Sequence, residues 1–338
     1  MTNEQDELER ISARYAAFAV EEARGSSEVY ERLARAVAGS KDLLIFLASL
    51  PVDKRQPNLF LAAIRHVGGV PAGPDQLAQV VREEQARIRE IMLSRTTQTN
   101  EAGRCAVLLP VLAQLTQPLA LLEVGASAGL CLLPDHYGYD YGTSRIEPSV
   151  SPGRRRPPQF PCQISGPVPL PFAVPQIVWR CGLDLNPIDL HSEDDVTWLE
   201  TLVWPEQDAR LERLRAAIEI GRHEAPRVVK GNLLTDLASL MRAAPKRATL
   251  VVFHSAVLAY VPSQSARDAF AATVLSANAI WISNEIPNVF PSFATTAPAS
   301  SQQGRRFLLS VNGRPLAWTG PHGQSIEWFG SLSEAVAR

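Results

Sequence analysis

Residues 119–130 read LALLEVGASAGL, an apolar run broken only by Glu123 that leads straight into Gly125-Ala126-Ser127-Ala128-Gly129. This segment constrains the chain more than any other. Glycine reaches left-handed backbone and lets the chain come close to a bound group, and the free N–H groups of a following helix favour a negative charge. The segment therefore predicts a buried strand, a tight ligand-facing turn and a helix opening behind it. Two chemistries share the letters. Glu123-x-Gly125-x-x-x-Gly129 fits a loop around a nucleotide-like ligand, and Gly125-x-Ser127-x-Gly129 fits the turn that exposes a nucleophilic serine.

The residues before this strand bear on the choice. From about residue 4 to residue 115 apolar residues recur at helical spacing, and the breaks carry Gly25, Pro51 and the GGVPAGP run at 68–74. Ser26 or Ser27 is placed to cap the second helix. A serine hydrolase needs strands and an oxyanion loop ahead of its nucleophile, then an acid and a histidine behind it. His254 or His322, with Asp184 or Asp236, meets the second demand loosely, while the helical region fails the first. A helical region at 1–117 and an α/β domain at 118–338 follow, with a Pro- and Arg-rich insertion at 137–175.

Beyond residue 118 short β-rich runs alternate with helical stretches, the mark of an α/β domain. The predicted strands are 119–124, 176–183, 227–230, 249–253, 279–283, 307–311 and 325–329, with helices at 194–220, 233–243 and 263–277. The last two strands are joined without a helix and should pair antiparallel. The insertion reads as a surface excursion with a small hairpin near 160–166. Its functional alternative is a flap whose Arg154 and Arg156 meet an acidic substrate.

Composition narrows the partners. Lys and Arg number 33 against 35 Asp and Glu, so no long-range field argues for nucleic acid or an anionic membrane, and a small-molecule substrate is expected. Cys105, Cys131, Cys162 and Cys181 lack CxxC spacing, against a zinc site or a disulfide framework; no metal is expected. The polar first residues and the lack of a long apolar run predict a soluble, cytoplasmic protein. Nothing in the sequence speaks to oligomeric state.

In open α/β sheets ligands bind outside the carboxyl ends of the strands, so each strand exit supplies candidates. Asp184, followed by Leu185, is placed to accept ribose hydroxyls, with Asp140 as its rival. Asn232 and Leu233 stand at the third exit. His254 and Ser255 follow a buried strand, and a neutral imidazole there would serve as a base, with Tyr260 further on. Asn284 and Glu285 end the next strand, placed to bind substrate or pair with His254. Ahead of the first strand, Gln98, Thr99, Asn100, Glu101 and Arg104 form a polar cluster suited to close over a cofactor, to bind substrate or to cap a helix.

Parallel β/α units ending in a helix-free antiparallel pair resemble the sheet of class I S-adenosylmethionine-dependent methyltransferases. The resemblance implies a Rossmann-like, mostly parallel seven-stranded sheet with S-adenosylmethionine as cofactor. It further implies Glu123, Gly125, Ser127, Gly129, Asp184, Leu185, Asn232, Leu233, His254 and Ser255 around that cofactor. Ser127 and Asn232 depart from the glycine and aspartate usual there. RQPNLFLAAIRHVGG at 55–69, RTTQTNEAGRC at 95–105, LLEVGASAGLCLLPD at 121–135, RCGLDLNP at 180–187 and HSAVLAYVP at 254–262 together resemble an uncharacterised bacterial family, domain of unknown function 2332 (DUF2332). That second resemblance covers nearly the whole chain and implies no particular reaction. The methyltransferase expectation is an analogy of fold, with the helical region as lid and substrate pocket.

Overall fold

The computed structural model describes residues 2–98, 100–148 and 156–337. The chain divides into two compact units, residues 1–99 with 192–212 and residues 100–191 with 213–338. Among the described residues no helix is long and apolar enough to cross a membrane.

The first unit is helical. It holds α1 (Thr2–Phe18), α2 (Glu28–Gly39), α3 (Lys41–Ala48), α4 (Pro57–Gly68), α5 (Pro74–Glu83) and α6 (Gln85–Ser94). Tyr15, Leu33, Leu47, Phe60 and Leu77 form its core, each on the apolar stripe of its helix. Ser27 caps α2, its Oγ accepting from the Tyr30 N–H. The expected single helix at 194–220 is two. After α7 (Cys105–Leu112), which belongs to the second unit, come α8 (Glu193–Leu202) and α9 (Asp208–Glu224). The break carries Pro205, which has no N–H to continue a helix, and Glu206 at φ +72°. The Glu206 carboxylate is tied down by the Ser27 hydroxyl and the Val29 N–H.

The second unit is built on a nine-stranded sheet, two strands more than expected. Its strands are β1 (Leu119–Val124), β5 (Gln163–Ser165), β6 (Ile177–Asp184), β7 (Arg227–Lys230), β8 (Thr249–Ser255), β9 (Ala279–Glu285), β10 (Phe307–Val311), β11 (Arg314–Thr319) and β12 (Ser325–Trp328). The spatial order is β5-β12-β11-β10-β9-β8-β1-β6-β7. Strands β9, β8, β1, β6 and β7 run parallel. Counted along the chain from β1, the parallel order is 3-2-1-4-5, that of a doubly wound sheet, and it reverses between β1 and β8. Strands β10 to β12 form an antiparallel meander.

Three expectations need correction. Strands β10 and β12 do not pair with each other, because the segment between them is itself the strand β11. Residues 160–166 are no hairpin: β4 (Gln159–Pro161) joins β2 (Gly138–Asp140) and β3 (Arg145–Ile146) in a small second sheet, whereas β5 joins the large one. No α-helix follows β1. Gly129 leads into two single 3-10 turns, Leu130–Leu132 and Pro134–His136. Residues Leu130, Cys131, Leu132 and Leu133 are all buried, so the segment has no polar face to carry an amphipathic helix, and Pro134 withholds an N–H.

Residues 137–141 of the insertion are not a surface excursion, whereas much of 163–173 is exposed. Tyr137, Tyr139 and Tyr141 are fully buried and donate their hydroxyls to the carbonyls of Leu130, Pro134 and Ala106 at 2.8, 2.6 and 2.7 Å. Large rings bring apolar area to the interior, and each polar tip finds an acceptor. Arg156 is exposed, and Arg154 and Thr99 lie outside the described residues.

Candidate ligand site at the carboxyl edge of the sheet

The glycine turn sits at the point where the strand order reverses. Gly125 and Gly129 take φ of +72° and +74°, and Ser127 between them takes +52°. On β8, the neighbour of β1, Ala256 follows the strand at φ +59°. Left-handed backbone is unfavourable for residues with a Cβ, and such positions concentrate at functional sites. An alanine Cβ on Gly125 would stand 2.2 Å from Val257 Cγ2, so the loop after β8 packs directly on the loop after β1.

Two side chains hold this turn. Asn100 uses both ends of its amide, Nδ2 donating to the Ala126 carbonyl at 3.0 Å and Oδ1 accepting from the Leu130 N–H at 2.8 Å. Asp184, at the end of β6, accepts from the Ser127 N–H at 2.8 Å through Oδ2 and from the Asn186 N–H at 2.8 Å through Oδ1. Gly182 leaves room for the turn, since a Cβ there would lie 2.5 Å from that of Ala126. Asn100 thus clamps the loop, the alternative to the substrate contact expected of it. Asp140 instead holds its own turn, accepting from the Gly142 N–H and from Arg145. That backbone hydrogen bond, ahead of Arg145, lowers its carboxyl below the usual range.

One face of the sheet carries a cluster of buried polar groups. Glu123 is only 4% exposed, and its Oε2 has no hydrogen-bond partner. Burial pushes its carboxyl well above the usual range, Cys131 and Asp184 add to this, and Arg104 opposes it. Ser127 Oγ is equally buried and also lacks a partner. No imidazole therefore sits on the Ser127 hydroxyl, and the serine-nucleophile reading lacks its base. On the same face Thr319 Oγ1 donates to Asn284 Oδ1 at 2.7 Å, and Asn284 Nδ2 donates to Ser255 Oγ at 3.0 Å.

His254 and Glu285 lie on the opposite face, because successive strand residues alternate. The His254 ring is wholly buried against Phe270 and Trp281. Trp281 Nε1 donates to His254 Nε2 at 3.0 Å, and His254 Nδ1 meets Glu285 Oε1 at 2.7 Å. An indole N–H only donates, so Nε2 is the acceptor and the ring proton sits on Nδ1. Glu285 Oε1 also accepts from the Val257 and Leu258 N–H groups at 2.9 and 3.1 Å. The ring keeps no lone pair for a ligand, which removes the base role expected of His254. The pair with Glu285 forms, and its work is to hold the loop that carries Val257.

The remaining candidates are spread out. Tyr260 is 68% exposed and Leu185 is exposed as well. Asn232 is exposed and closes a turn, its Oδ1 accepting from the Leu234 N–H at 2.9 Å, with Leu233 inside that turn. Glu101 Oε1 accepts from the Gly103 N–H at 3.2 Å, and its Oε2 lies 3.4 Å from His322 Nδ1. Gln98 belongs to the first unit, where its Oε1 accepts from the Thr96 hydroxyl. Among the described residues no group of His, Cys, Asp and Glu is placed to hold a metal ion. Three site residues escaped the sequence reading: Gly182, Val257 and Trp281. Gly182 alone carried a local signal, a glycine inside a strand marking a close approach of backbone.

A family model described as an uncharacterized protein conserved in bacteria, DUF2332, matches residues 12–328, and the chain belongs to that family. No curated protein and no solved structure gives a significant match.

Proposed function

We propose that this DUF2332 protein binds S-adenosylmethionine where the strand order reverses, between β1 and β8, and transfers its methyl group to a small-molecule acceptor. The observation that carries the reading is the pair of orphaned polar groups at that point, Glu123 Oε2 and Ser127 Oγ. Buried polar atoms in native proteins are almost always paired, and a polar ligand would pair these. The parallel strands follow the order 3-2-1-4-5, and doubly wound sheets bind ligands in the crevice at such a reversal, which supports the reading. The acid that the fold analogy assigns to ribose, Asp184, is hydrogen-bonded to the same loop.

When bound, the cofactor supplies a methyl group activated on a sulfonium. This chain's residues orient it: the glycine turn contributes backbone, and Glu123 and Ser127 contribute polar contacts. The loop after β8 is held in place by Glu285. With His254 committed to Trp281 and Glu285, rate enhancement rests on alignment of the reactants, worth about 7–11 kcal/mol when the geometry is near attack. A binding module without turnover is the second reading, favoured by that same engagement of His254.

Titration calorimetry of the full chain with S-adenosylmethionine and S-adenosylhomocysteine tests the proposal. Saturable binding of both is expected; heat from neither at millimolar ligand would end both readings. Binding with no S-adenosylhomocysteine formed across a panel of acceptors would select the second.

A further inference from the structure

Arg104 is a largely buried cation whose hydrogen bonds within the fold go to neutral groups. The residue is 8% exposed and stands in the 3-10 turn that leads into α7. Its hydrogen bonds go to two backbone carbonyls, Nε to Pro321 at 2.9 Å and Nη1 to Ser255 at 3.0 Å. Its Cζ lies 5.7 Å from the centre of the Phe307 ring. Among the described residues no carboxylate forms an ion pair with it and no acceptor takes its Nη2.

A guanidinium presents five N–H donors in a planar fork. The two carbonyls engage Nε and Nη1 and leave Nη2 unused. Nη2 is not sealed from solvent, so a ligand in this site can reach that edge. Burial, then the Cys131 thiol and Asp184, push the Glu123 carboxyl above the usual range, and the Arg104 charge opposes that shift. The end of β8 therefore faces a fixed cation with one donor edge uncommitted. That is a receptor for an anion, not for an ammonium group.

We infer that the Nη2 edge of Arg104 receives a carboxylate carried by the ligand of this site. The inference rests on the proposed S-adenosylmethionine reading, in which that carboxylate belongs to the amino-acid end of the molecule. Of the two contacts the sequence left open for Arg104, cofactor or substrate, it selects the cofactor.

The test compares two probes by calorimetry: S-adenosylhomocysteine and its decarboxylated analogue, which lacks only the carboxylate. Wild-type protein should prefer the first by about tenfold or more, the scale of a hydrogen bond to a charged group. Arg104→Gln should bind both alike, and Arg104→Lys, which keeps the charge without the fork, should retain part of the preference. Equal affinity of the wild type for the two probes overturns the inference and leaves the methyltransferase reading standing, even if neither variant folds. A preference that survives in a folded Arg104→Gln protein overturns it too. Binding of neither probe by the wild type overturns reading and inference together.

Discussion

Trp281 donates its indole N–H to Nε2 of His254 across 3.0 Å, on the far side of that ring from Glu285. A histidine held between a donor and an acceptor is a fixed strut. His254→Ala would leave the indole N–H without its acceptor and strip Glu285 of one donor. Each buried orphan costs about 1–3 kcal/mol, so a loss of roughly 2–4 kcal/mol in urea unfolding is expected, with S-adenosylhomocysteine affinity little changed in protein that remains folded. Unchanged stability with turnover abolished would restore the imidazole as a base.

Gly125 meets Val257 closely enough that any side chain at 125 must displace it. Gly125→Ala would meet two penalties, about 1–2 kcal/mol for left-handed backbone and roughly 1–3 kcal/mol for overpacking. Adding Val257→Ala should relieve only the second. A double-mutant cycle in denaturant should therefore show positive coupling between the two positions; strict additivity would mean that the loops do not touch.

Glu123 should leave a signature in the dependence of stability on pH. Its folded carboxyl titrates above the ordinary value of 4.5, with burial as the main cause. Once the pH exceeds 4.5 the unfolded chain releases this proton while the folded chain still holds it, so this group's contribution to stability falls with rising pH until the folded carboxyl ionises. Glu123→Gln should be nearly neutral in acid and increasingly more stable than the wild type above that point. Parallel stability curves from pH 4 to 8 would show that Glu123 ionises freely in the fold.

Strand β1 was legible to the residue, since an apolar run broken only by Glu123 and ending in glycine admits few structures. Strand β11 was hidden for a local reason. Its Asn312-Gly313 turn, with φ of +48° and +81°, is a strong hairpin signal. Pro315 just behind it argues against a strand, and is accommodated because the β10–β11 pairing is irregular there, between Leu309 and Ser310. The helix expected after Gly129 was misread because glycine turns are shared by strand-to-helix and strand-to-coil connections. Only burial on every side of Leu130, Cys131, Leu132 and Leu133 separates the two.

The sequence by itself determined the layered α/β class of the second unit, the helical nature of the first and the glycine turn at the end of β1. These follow from periodicity and backbone freedom, which act between neighbours in the chain. Tertiary structure decided what each polar residue does, because a side chain's role depends on partners brought from distant strands. Asn284 and Glu285 are adjacent in sequence yet serve opposite faces, one reaching Ser255 and Thr319, the other His254. Folding alone left Glu123 Oε2 buried without a donor and Arg104 Nη2 without an acceptor in the fold.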